Sequence, residues 1–289
     1  MRLRAMFERR LRQPGPAATA PFESLIGSGE YLQFTLKTGL SINEAIALPL
    51  AEAGLTAASI VLEGGSFAPL HYLMPALSTD DYHAAWYSET NSPEGEAQLE
   101  RGNVTFGERD GHPFIHCHAT WIEADGRKRC GHVLPHETIV AKPIRATAWG
   151  TQDVRMVSEP DAETAFTLFH PIKTAQVPRA KGPRIVVARV RPNADIIETL
   201  EEICRASGFS NARLRGGVGS LIGARYADGT SVDDIATEVF VTYGFVSTQP
   251  NLTRLEIVMV DTLGRITQGQ LLRGENPVCI TFELYLEEA

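Results

Sequence analysis

Residues 38–72, TGLSINEAIALPLAEAGLTAASIVLEGGSFAPLHY, find a counterpart 154 positions on in residues 192–226, PNADIIETLEEICRASGFSNARLRGGVGSLIGARY. No gap is needed: Ile42 meets Ile196, Glu44 meets Glu198, Gly54 meets Gly208, Gly65 meets Gly219, Ser66 meets Ser220 and Tyr72 meets Tyr226. Similarity at one fixed offset marks a duplicated structural unit. Ser41 and Asp195 are suited to cap a helix, and Glu44 and Glu198 follow three residues later, the capping-box spacing. Gly54 and Gly208 end the two helices, because glycine tolerates the positive φ needed there. Pro49 predicts a kink or a short first helix. An alternating strand precedes each helix (YLQFTLKT, RIVVARVR), and a strand leading into a Gly-Ser turn follows it. The fold class expected is α+β: two copies of a domain, each a mostly antiparallel sheet with one packed helix.

A second block extends the repeat. ADGRKRCGHVLPHE (124–137) aligns with TLGRITQGQLLRGE (262–275) at an offset of 138, so copy one carries sixteen extra residues, placed within DYHAAWYSETNSPEGEAQLERG (81–102). Such an insertion predicts a loop near the functional site. Tyr82, Trp86 and Tyr87 suit either a lid for an apolar substrate or a packing flap. The chain then divides into a basic flexible arm (1–28), a first domain (29–150), a linker (151–183) with Pro160, Pro171, Pro178 and Pro183, and a second domain (184–289).

These segments carry formal charges of +3, −7, 0 and −4, within a total of −8. Neither domain is basic, which argues against a broad electrostatic grip on nucleic acid. The arm, with Arg2, Arg4, Arg9, Arg10 and Arg12, is the one basic contact available. Cys117, Cys130, Cys204 and Cys279 form no CxxC pair and no secreted disulfide pattern, so a reduced cytoplasm is expected. No stretch approaches the roughly 20 apolar residues of a membrane span, and the N-terminus has no apolar signal core.

Three of the eight histidines fall in one hairpin, FIHCH (114–118) and CGH (130–132). On a strand, His116 and His118 point to one face. A three-residue turn, Ala124-Asp125-Gly126 with glycine at the left-handed position, sets His132 directly opposite His118. Cβ atoms about 4.5–5.5 Å apart across a sheet suit a shared ion. Three imidazoles with no obvious fourth protein ligand match a catalytic site with an open position, and zinc is the expected ion, other divalent transition metals being possible. Cys130 shares the parity of His132 and is a further ligand candidate. At the equivalent positions copy two has Arg254, Glu256 and Gln270, so all three ligands are missing together.

Gly64-Gly65-Ser66, His116-Cys117-His118 and Cys130-Gly131-His132, where the family commonly has Gly-Gly-His, resemble the plants-and-prokaryotes-conserved (PPC or PCC) domain of prokaryotic type. That resemblance implies an antiparallel α+β domain, trimeric assembly, and zinc held by the three histidines in copy one. It also implies a link to DNA, since the domain accompanies AT-hooks in plant nuclear proteins; here no Arg-Gly-Arg core is present and both domains are acidic.

The function expected is a zinc-dependent hydrolase, hydratase, lyase or isomerase acting on a small anionic metabolite, because a bound zinc activates water or polarises a carbonyl. His71 and Glu63, flanking the Gly-Ser turn, are the candidate catalytic proton carriers. Arg213, Arg215 and Arg254 form a candidate grip for a carboxylate, and Arg225 replaces His71 in copy two. The alternatives are a DNA-associated or regulatory protein with a structural or sensory metal, and a non-catalytic oligomerisation module.

Overall fold

The structure, a computed structural model, describes residues 9–80, 82–174 and 182–289. Arg2, Arg4, Asp81 and Pro178 lie outside the described residues. The first strand, β1 (Phe22–Ser28), belongs to the sheet of copy two. Copy one follows with β2 (Glu30–Leu36), α1 (Ile42–Glu52), β3 (Ala57–Glu63), β4 (Ala97–Arg109), β5 (His112–Ile122), β6 (Lys128–Val133) and β7 (Ile144–Thr151). A hairpin of β8 (Val154–Pro160) and β9 (Thr167–Lys173) comes next. Copy two comprises β10 (Arg184–Val190), α2 (Ile196–Ala206), β11 (Asn211–Leu221), β12 (Thr237–Ser247), β13 (Arg254–Asp261), β14 (Ile266–Gln270) and β15 (Val278–Glu288).

The two copies share one strand order. Copy one runs β2-β7-β3-β4-β5-β6 and copy two β10-β15-β11-β12-β13-β14, with antiparallel pairing throughout. Ser41 closes the expected capping box: its hydroxyl accepts from Glu44 N at 3.2 Å, and its own N–H donates to Glu44 Oε2 at 3.1 Å. Asp195 caps α2 through Ile197 N and Glu198 N, but the Glu198 carboxylate pairs with Arg273 and does not return to the cap. Gly54 and Gly208 sit just past the helices at φ +73° and +71°.

Strand alternation sorts the residues into layers. In β5, Ile115, Cys117, Ala119 and Trp121 enter the core beneath α1. In β13, Leu255, Ile257 and Met259 enter the core beneath α2. The opposite faces of the two sheets meet each other: Val258 and Val260 join Phe240 and Cys130, and Val187 and Tyr285 join Ala57 and Met156. The result is helix, sheet, sheet, helix, with an apolar seam between the copies.

Two expected segments are corrected. Residues 9–28 are not a free arm. β1 adds to the edge of copy two's sheet, from Phe22↔Val190 to Ser28↔Arg184, while Gln13 Nε2 donates to Cys279 O at 2.9 Å. An exposed sheet edge offers a row of unpaired backbone groups, and Phe22 and Leu25 bury apolar surface on its two sides. Much of the expected linker is likewise structured, since β8 pairs in parallel with β4 at Val157↔Glu108.

Candidate metal centre

His116 and His118 stand on the seam face of β5, and β6 sets His132 opposite His118. The turn has the expected form: Glu123 and Arg127 close a loop of Ala124-Asp125-Gly126, with Gly126 at φ +80°. Gly131 is needed for a different reason, since a Cβ there would lie 2.6 Å from the Leu73 carbonyl oxygen, whose short strand covers β6 beside His132.

The partners of the histidines come from copy two. His116 Nδ1–H donates to Glu283 Oε2 at 2.8 Å, and His118 Nδ1–H donates to the Val239 carbonyl at 2.8 Å. With the protons held at Nδ1, each neutral ring has its Nε2 lone pair free, and the two Nε2 atoms face each other at 2.9 Å. Glu238 Oε2 stands 2.7 Å from His118 Nε2. His132 Nδ1 is buried and has no hydrogen-bond partner. Acceptors crowded together this way repel one another unless a cation sits among them. His116, His118, His132 and Glu238 each bring a donor atom to within 4.8 Å of the others. Three imidazoles and a carboxylate fit a divalent transition metal.

Burial shapes the electrostatics. Burial and the neighbouring His116 and His118 hold His132 well below its ordinary range, which keeps it neutral. At His116, burial would lower the pKa, but the charge and hydrogen bond of Glu283 outweigh it and raise it. A metal-bound histidine oriented by a carboxylate is the usual second layer of such sites.

A cavity of about 40 Å³ adjoins the cluster, with His116, Glu238, Trp86, Tyr87 and Phe166 on its wall. It is large enough for water-sized occupants. The insertion expected near the site is there: Trp86–Tyr87 pairs with Pro75–Ala76, and the Tyr87 ring lies 5.4 Å from that of His132. Burial raises the Tyr87 phenol well above its ordinary value, so it is a neutral wall.

Other sequence candidates lie elsewhere. His71 Nδ1 pairs with Ser92 Oγ at 2.7 Å, and Glu63 faces Arg101 at 3.7 Å and Arg145 at 3.9 Å. Neither lines the cavity. Cys130 is buried in the apolar seam beside Val218 and Phe240, and burial drives its thiol pKa far up. Glu238 and Glu283 were missed by sequence reasoning. The available signal was a glutamate inside an otherwise apolar strand, in TEVFV and ITFEL, since buried carboxylates need a cation or a hydrogen-bonded partner. In copy two, Glu256 pairs with Gln270 as His118 does with His132, but Arg254 and Glu256 are exposed and no donor set converges there among the described residues.

Residues 178–289 match the Plants and Prokaryotes Conserved (PCC) domain model. Copy two is thus similar to this domain family. The match falls on copy two, and copy one repeats its helix and strand order. Among solved structures, a plant- and prokaryote-conserved (PPC) protein of Pyrococcus horikoshii is similar at 16% identity, covering 52% of this chain and 97% of its own, with a TM-score of 0.42. A metal-containing protein of Archaeoglobus fulgidus is similar at 18% identity, covering 52% and 97%, with a TM-score of 0.39. A putative DNA-binding protein of Bacteroides thetaiotaomicron is similar at 12% identity, covering 52% and 98%, with a TM-score of 0.37. No curated relative matches the chain. Among the described residues, no helix is long and apolar enough to cross a membrane.

Proposed function

We propose that this protein binds one divalent metal ion, zinc by preference, through His116, His118, His132 and Glu238, and that the ion ties copy one to copy two. The observation that carries this reading is the close approach of two Nε2 atoms beside an orphaned His132 Nδ1 and the carboxylate of Glu238. Four protein donors around zinc make a closed, structural kind of site.

A second reading, metal-dependent catalysis on a small anionic metabolite, is favoured by the cavity that has His116 and Glu238 on its wall. Zinc in that position supplies Lewis acidity and an acidified water. Glu238 stands between the cluster and the cavity and is placed to take a proton, the role first given to His71 and Glu63. Glu283 holds His116 in one tautomer, and the Trp86–Tyr87 flap restricts solvent. The DNA-associated reading loses support at the arm: Arg9 donates to the Ile222 carbonyl at 2.7 Å and to the Glu275 carbonyl, within its own chain. The trimer of chains implied by the resemblance belongs to the same proposal, and light scattering measures it.

The test is elemental analysis of untagged protein. About one zinc or similar ion per chain is expected, lost in His118→Ala, with affinity about 10- to 100-fold weaker in Glu283→Gln. Protein that neither holds nor takes up a transition metal overturns the reading. A Glu238→Gln variant that keeps the ion but abolishes a metal-dependent turnover selects the catalytic version.

A further inference from the structure

A second cavity opens at the seam, away from the histidines. Along β12, the donors to the cluster stand at Glu238 and Val239; Asn103 Nδ2 donates to the Val241 carbonyl; and residues 241–245 then line an open cleft of about 490 Å³. Its wall carries Arg101, Arg213 and Arg215, the rings of Trp149 and Tyr243, and no aspartate or glutamate. Ala289 sits on its rim.

The cleft is built into the backbone. Pairing of β11 with β12 stops after Arg213↔Phe245 and resumes in the same register at Val218↔Phe240. Compensating bulges lie in both strands, at Leu214/Gly216 against β15 and at Val241/Tyr243 against β13. Copy one has no such opening, since β3 and β4 pair without a break from Ala58↔Phe106 to Glu63↔Arg101. Bulges of this kind re-aim side chains and gather beside functional sites. Two of the three cationic residues are also specific to copy two: 154 positions before Arg213 and Arg215 stand Ser59 and Val61.

The arginines are incompletely satisfied. Arg213 is exposed and its side chain makes no ion pair or hydrogen bond among the described residues. Arg101 lies 3.7 Å from Glu63, and Arg215 pairs with Glu287 while its guanidinium stands 5.3 Å over Trp149. Nε of Arg101 and Nε of Arg215 are buried without partners.

We propose that this cleft is a second ligand site, separate from the metal centre, and that it takes a flat aromatic molecule bearing a phosphate or carboxylate group. Guanidinium groups bind oxyanions in a two-point geometry. Exposed Tyr243 offers a face on which a ring stacks, and Trp149 holds the Arg215 guanidinium over its own ring. The volume falls within the range of small-molecule pockets. The proposal does not depend on the metal reading.

Titration calorimetry of the full, metal-loaded chain at low ionic strength tests it, with AMP and 1-naphthoate as the phosphate and carboxylate probes and adenosine as the uncharged control. Saturable binding of one of the anions is expected, weaker at higher salt. Arg213→Ala should weaken it about tenfold or more, the loss of one charge-assisted contact. Arg213 is exposed, so its replacement leaves the fold and the metal content unchanged. Failure of both anions to saturate at millimolar concentration overturns the proposal. So does binding that Arg213→Ala and Arg215→Ala leave unaltered, or adenosine binding as tightly as AMP.

Discussion

At the residue scale, the cluster of His116, His118, His132 and Glu238 shows how much spacing reveals and where it stops. His116, His118 and His132 were legible because strand period and turn length fix their face and register. Glu238 and Glu283 were not, because alternation of polar and apolar residues looks the same whether the polar face meets water or a second sheet. The same ambiguity hides a second buried network. Arg189, fully buried, donates to Asp161 Oδ2 at 2.8 Å. Burial pushes the Asp161 carboxyl up, but the hydrogen bond and charge of Arg189 outweigh it and hold the pKa at about 2, below its ordinary 3.8. A folded-state pKa below the unfolded one means stability present above pH 3.8 and lost as pH falls toward about 2. Thermal melts across that window should show the wild type losing stability with acid, and Asp161→Asn starting lower with a shallower fall.

At the element scale, the helices follow their sequence closely. Pro49 does not shorten α1 relative to its counterpart: both helices have 11 residues. Its ring lies in the last turn of a helix whose other end is fixed by the capping box. Ser41→Ala, which removes that cap, should cost about 1 kcal/mol by urea denaturation. Asp195→Ala should cost more, because Asp195 also accepts from Asn276 N at 2.7 Å. β1 escaped the sequence reading because FESLIGS is short and does not alternate apolar with polar residues. Its strand character comes from the edge of β10, which lies more than 150 residues away in the chain.

At the scale of the whole molecule, the duplicated unit has become one body. The apolar residues packed in the seam, among them Phe240, Val260, Met156 and Tyr285, are shared between copies and leave neither sheet independent. Unfolding in urea should therefore be a single transition by both fluorescence and circular dichroism, and chelation should lower its midpoint without splitting it. Two separated transitions would mean that the seam contributes little. The four cysteines are all buried and unpaired, so no disulfide takes part in holding the copies together.

The sequence by itself determined the repeated unit, its helices with their caps and glycine ends, the hairpin register and the three histidines. Each of these is set by residues near one another in the chain, through backbone geometry and strand or helix period. Only the tertiary structure decided that copy two supplies Glu238 and Glu283 to copy one, that β1 crosses to the other sheet, and that an arginine-lined cleft opens in the seam. Those features depend on which sheet face meets which, and that is settled by matching two buried surfaces, a long-range property that no local pattern encodes.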